Sequence, residues 1–124
     1  MPTTVLNLRL DLRGKSIIQT DWKIEQGAVG VVVVVEITDD GDIVDVSAAT
    51  VAKNICLRAP SGGDKVKAAT FTNTGTDGKI QFTTIDTDFD DLGRWKIAAH
   101  IESATYNRKT PTSALLTVVA SICP

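Results

Sequence analysis

The side chains able to do chemistry are few, and their spacing does not bring them together. His100 is the only histidine. It lies in the alternating run from Trp95 to Glu102, where a period of two sets it on the face opposite Trp95 and Ile97, beside Lys96 and Glu102. That face reads as surface. A Ser-His-Asp triad would need the imidazole in a cleft beside a nucleophile, and no nucleophile elbow is near. Asp86, Asp88, Asp90 and Asp91 alternate as Ca²⁺ ligands do. Counted as an EF-hand loop, however, they put Asp91 where Gly is needed and Ile97 where the bidentate Glu is needed. The cluster therefore reads as a solvated loop, and Asp39, Asp40 and Asp42 as a charged hairpin tip. Cys56, between Ile55 and Leu57, reads as a small buried thiol. A bridge from Cys56 to Cys123 would add about 4 kcal/mol in the chain-entropy model, but nothing in the sequence demands it. Asn73-Thr74-Gly75-Thr76 has no phosphate-cradling pattern. These residues support no catalytic assignment, no cofactor and no metal.

The elements that carry them read as strands. Val, Ile and Thr are frequent, and Gly/Asp turns break the chain at short intervals. Leu6, Leu8, Leu10 and Leu12 alternate with polar residues and share one face. Gly14-Lys15-Ser16 ends that run, and Ile17 to Ile24 is a less regular strand. Val29 to Thr38 is the strongest strand, with Val29, Val31, Val33, Val35 and Ile37 on one face. Val32 and Val34 make its second face unusually apolar. Two coverings fit that face: the N-terminal segment, or another subunit. Asp39-Asp40-Gly41-Asp42 is a hairpin turn. Further strands are expected over Val51–Arg58, Lys65–Thr72 (an edge, where lysines discourage pairing), Lys79–Ile85 and Trp95–Glu102. Ala104 to Thr112 reads as a loop. Ala114, Leu116, Val118, Ala120 and Ile122 form the apolar face of the last strand. Trp22 is left over from the strand cores. It either packs over the sandwich end or anchors a partner.

Composition bounds the rest. The 124 residues suffice for one domain, taken as 1–124, with 1–14 either its first strand or an N-terminal arm hinged at Gly14-Lys15-Ser16. Thirteen Lys+Arg against fifteen Asp+Glu give a net charge of −2, so no basic excess points to nucleic acid. Aromatic residues at 5% are too few for a base-stacking platform or a sugar-binding strip. No apolar run approaches the ~20 residues that span a bilayer, and the N-terminus lacks a signal-peptide pattern, so no membrane is implied.

Seven or eight short, mostly antiparallel strands with regularly spaced turns make the expected fold all-β, an immunoglobulin-like β-sandwich. Asp91-Leu92-Gly93-Arg94-Trp95 has the D-x-G-x-aromatic form that opens the penultimate strand of many such domains. Trp stands where Tyr is usual, so the tyrosine hydroxyl's hydrogen bond is either missing or made by the indole N–H. No cysteine lies in that strand to form the antibody-type inter-sheet disulfide.

The order of features carries a resemblance. A Leu-alternating strand, a Gly, a Val-rich strand and a D-D-G-D turn come first. The stretch Val44 to Thr50, Pro60-Ser61-Gly62, Gly78-Lys79-Ile80-Gln81-Phe82, Leu92-Gly93-Arg94-Trp95-Lys96 and Thr110-Pro111-Thr112-Ser113 follow. Over nearly its whole length the chain resembles the immunoglobulin-like N-terminal domain of phage baseplate upper proteins and related tailed-phage virion modules. The resemblance implies a structural part of a virion, assembled in the host cytoplasm, whose partners are other virion proteins and copies of itself in a symmetric, multi-copy assembly. It transfers no catalytic residue. Baseplate upper proteins continue into a receptor-binding region and this sequence does not, so an adaptor, collar or decoration subunit is expected. The alternatives are a capsid decoration (cement) protein and a stand-alone carbohydrate- or surface-binding module. Assembly requires unsatisfied surface. The residues expected to supply it are Leu6, Leu8, Leu10 and Leu12 on the arm, Trp22, and Val32 and Val34 on the main strand.

Overall fold

Alternating apolar and polar positions give each strand one face for a core and one for water, and two such sheets close on each other. The computed structural model describes residues 4–14, 22–111 and 114–120. The strands among them are β1 (Val5–Asp11), β2 (Trp22–Glu25), β3 (Val32–Asp39), β4 (Asp42–Ile43), β5 (Ala52–Arg58), β6 (Asp64–Ala68), β7 (Thr70–Phe71), β8 (Lys79–Thr83), β9 (Gly93–Glu102), β10 (Asn107–Lys109) and β11 (Ala114–Val119). Eight of these are four residues or longer. None of the described residues is helical. One sheet runs β1-β3-β8-β7 with β4 beside β3. The other runs β2-β11-β9-β5-β6 with β10 beside β9. The fold is a β-sandwich, as the alternation predicts. Pairing is antiparallel except at two places, β1 with β3 and β2 with β11.

Between the sheets lie Leu6, Leu8, Leu10, Val33, Val35, Ile37, Ile55, Leu57, Ile80, Phe82, Phe89, Trp95, Ile97, Ile101, Leu116 and Val118, all buried. The expected core is among them, except that Val31 is only half-buried. Phe89 was not expected there. It comes from the acidic stretch before Trp95 and meets that ring edge-on at 5.1 Å.

The hairpin at Asp40-Gly41 has positive φ at both central residues (53° and 90°), which is the turn that suits a two-residue β-hairpin. Asp11 anchors it. The buried Asp11 carboxylate accepts from the Thr38 hydroxyl at 2.8 Å, the Gly41 amide at 3.0 Å and the Arg13 amide at 3.0 Å. The end of β1 is thereby tied to the turn after β3.

Several elements differ from expectation. Val29 lies outside β3 and is 68% exposed, because Gly30 at φ 83° turns the chain just before the strand. The strand expected over Lys65–Thr72 is two elements. Ala69 is the corner at which the chain passes from the edge of one sheet to the edge of the other, its amide held by the Lys53 carbonyl at 2.9 Å. The loop expected from Ala104 to Thr112 contains β10, paired with the end of β9. In the last strand, Leu116 and Val118 face the core, Ala120 is exposed, and Ile122 lies outside the described residues.

Candidate functional site

The leucine face expected to meet another chain is spent within this one. β1 pairs in parallel with β3, setting Leu6 opposite Val33, Leu8 opposite Val35 and Leu10 opposite Ile37 on one inward face. Leu6, Leu8 and Leu10 are buried there, and Leu12 packs half-buried against the same core. Val5–Asp11 is therefore the first strand of the sheet and not part of a detached arm; of the hinge expected at Gly14-Lys15-Ser16, Lys15 and Ser16 lie outside the described residues. Trp22 is half-buried against the core, and its indole N–H donates to the Asn7 carbonyl at 2.8 Å. It stitches edge strand β2 to edge strand β1 across the side of the sandwich. On the outer face of β3, Val34 is only 4% exposed, with Asn7 and Gln81 opposite it on the two neighbouring strands. Val32 is half-buried between Val5 and Thr83. At Val34 this face is closed to solvent within the one chain.

The titratable residues likewise hold the fold. His100 is half-buried, not on open surface as its register suggests. Its Nε2 lies 2.7 Å from Asn107 Oδ1 and its Nδ1 3.4 Å from Asn54 Nδ2. A ring protonated at Nε2 satisfies both contacts and joins β9 to β10 and β5. The other group near it is the Glu102 carboxylate at 3.8 Å.

The acidic stretch is a solvated loop only in part: Asp86 and Asp90 are exposed, while Asp88 and Phe89 turn inward. Asp88 is buried, with one oxygen 2.8 Å from Lys67 Nζ and the other accepting the Ile85 amide at 2.9 Å. Asp90 pairs with Lys65 at 3.0 Å. Asp91 accepts from the Ser61 hydroxyl at 2.7 Å. Lys65 also reaches the carbonyls of Thr87 and Asp88, and its ammonium stands 5.4 Å from the centre of the Trp95 ring. The cause lies in the register of β6. Lys65 and Lys67 sit opposite the buried Leu57 and Ile55, so they point inward along the open edge of the sandwich and hold the loop that carries Phe89. Because Asp88, Asp90 and Asp91 each turn to a different partner, the run does not converge. Among the described residues no group of three or more His, Cys, Asp or Glu is placed to hold a metal.

The same register turns Val66 outward, 65% exposed, beside Cys56, which has Ala98 on its other side. These residues floor a shallow hollow of about 160 Å³ on the outer face of the six-stranded sheet, rimmed by Arg58, Asp64 and Lys96. Cys56 is a free thiol whose pKa is pushed up by burial. Arg58 and Asp64 form a two-bonded pair at 2.8 and 3.1 Å. A second hollow of about 320 Å³ opens between β1 and β2, with Leu6, Ile24 and Val31 among its lining residues. Strand alternation would have placed Val66 outward. The lysines on either side of it drew attention away, since they read as the exposed residues.

No family model matches the sequence, and no curated protein matches it. Solved structures do. The chain is similar to the N-terminal domain of phage TP901-1 ORF48, with a TM-score of 0.68 over 94% of this chain and 98% of that one, at 14% sequence identity. At that identity the likeness is one of fold. The chain carries, over almost its full length, the β-sandwich fold of a phage protein's N-terminal domain.

Proposed function

We propose that this chain is a structural, non-enzymatic subunit of a tailed-phage virion, acting in the tail, baseplate or neck as an adaptor or attachment module. The carrying observation is the match of the whole sandwich to one phage protein domain, end to end on both sides. The turn and strand-end motifs that resemble baseplate upper proteins support the same reading from the sequence. The polar groups support it in a different way. His100, Asp88 and Asp11 each bond to groups that fix strands or turns, which suits a rigid building block.

Labelling with an antibody against the chain on purified, intact particles tests the reading. Label on the tail, baseplate or neck is the expected result. Label on the head would replace it with a decoration role. A chain absent from purified particles would remove the virion role altogether.

A further inference from the structure

Two surface features are complementary and cannot meet within one chain. The first is the hollow over Cys56, Val66 and Ala98. Its surroundings are net cationic: Lys96, Arg58 and Asp64 rim it, and Arg94 and Lys109 extend from the same strands or their neighbour. Arg58 is committed to Asp64, whereas Lys96, Arg94 and Lys109 have no ion pair among the described residues. The second feature is the turn region after β3. Ile43 is 59% exposed, flanked by exposed Asp42 and Asp45, and no Lys or Arg occurs from Asp40 to Ala52. The Ser47 hydroxyl and amide hold Asp45 below the usual carboxylate range, so it is ionised at neutral pH. The turn projects from the five-stranded sheet, at the end where Arg108 reaches Asp39. The hollow faces outward from the other sheet.

We infer that the Asp42–Asp45 turn of one copy docks on the outer face of the six-stranded sheet of the next, with Ile43 in the hollow over Cys56 and Val66 and its flanking carboxylates against Lys96 and Arg94. Size agrees: roughly 150 Å³ holds a six-carbon ring, and the isoleucine side chain has four carbons. Sign agrees as well, since an apolar knob with an acidic rim meets an apolar floor whose surplus charge, once Arg58 and Asp64 pair, is positive. The contact is heterologous, because each copy offers one knob and one socket on different surfaces. Such contacts repeat into rings or chains and do not stop at pairs. This inference goes beyond the virion reading and does not depend on it. A self-associating chain absent from particles would leave the contact standing.

Sedimentation velocity on the full chain, over a concentration series and at two salt levels, reads the contact. The weight-average mass of the native chain is expected to rise with concentration. Its association constant is expected to fall about tenfold between about 50 and 500 mM salt, as screening of the charged rims requires. Ile43→Asp and Val66→Asp each put a charge on an exposed site and are expected to give monomers with native circular dichroism. Mixed in equal amounts they are expected to give a dimer and nothing larger, because one intact knob and one intact socket remain. If either variant loses its fold, Ile43→Ser or Val66→Ser takes its place. A native chain that stays monomeric throughout overturns the inference. So do variants that associate like the native chain, or a mixture that stays monomeric or grows beyond the dimer.

Discussion

The indole N–H of Trp95 donates to the carbonyl oxygen of Asp91 at 2.9 Å, four residues back along the chain. The bond closes the corner at which the acidic loop becomes β9. Gly93 makes the corner possible: its φ is 119°, and a Cβ there would stand 3.1 Å from Pro60. The tryptophan thus makes the local bond that a tyrosine hydroxyl makes in related corners, while filling the core between Phe89 and the sheets.

Trp95→Ala removes a fully buried side chain and is expected to cost about 3–5 kcal/mol. Trp95→Phe keeps one six-membered ring but leaves the Asp91 carbonyl without its donor, and is expected to cost less. Urea unfolding of both variants checks the order. Equal costs would mean that the buried ring contributes little beyond the N–H bond that both variants lose.

Lys67→Met keeps the apolar stem and removes the charge from a nearly buried carboxylate. With Asp88 left facing the core edge, and allowing for the part-exposed lysine, a loss of about 1–3 kcal/mol is expected. Arg58→Met breaks an ion pair that stands in open solvent and is expected to lower the melting temperature far less than Lys67→Met does. A large loss at Arg58 with none at Lys67 would contradict the inward register of β6.

Leu8→Ala is expected to destabilise by about 2–5 kcal/mol, because Leu8 lies in the core of the first sheet. A whole domain has only about 5–15 kcal/mol of stability, so removal of residues 1–13 is expected to leave an unfolded chain. A folded, cooperative truncation would restore the detached-arm reading of this segment.

Acid should weaken the fold in part through its surface aspartates. The Ser47 hydroxyl beside Asp45, the Arg58 guanidinium beside Asp64, the Asn73 amide beside Asp77 and the Lys65 ammonium beside Asp90 hold these carboxyls below their ordinary range. The ordinary value is about 3.9, so as pH falls past it the unfolded chain takes up protons before the folded one does. Their contribution is therefore complete above about pH 5 and is lost as pH drops through the lower, folded-state values. A melting temperature flat from pH 7 to about pH 5 and falling below pH 4 is expected. A melting temperature that rises on acidification would contradict the sign.

The long alternating strands were legible in the sequence, because a period of two over six or more residues sets both conformation and facing. Trp95, Ile97, Ile101, Ile80 and Phe82 lie where that period puts them. What was not legible depends on partners remote in sequence. Whether β1 closes its own sheet or reaches outward turns on its parallel pairing with β3, and alternation alone is the same in both cases. The two residues of β7 and the three of β10 are too short to carry a period. Phe89 looked like part of a charged loop, because its burial depends on lysines from β6, more than twenty residues earlier in the chain. The Gly and Asp residues around Ile43 specify a turn but not the facing of the isoleucine. Only the fold shows that the isoleucine beside them stays exposed.

The most direct test of the structural-subunit account is a cryo-electron microscopy reconstruction of the intact virion, at a resolution that traces strands. The account predicts density for this sandwich in several symmetry-related copies on the tail, baseplate or neck, each held by neighbouring protein chains. A fully traced particle with no density for this fold would contradict it.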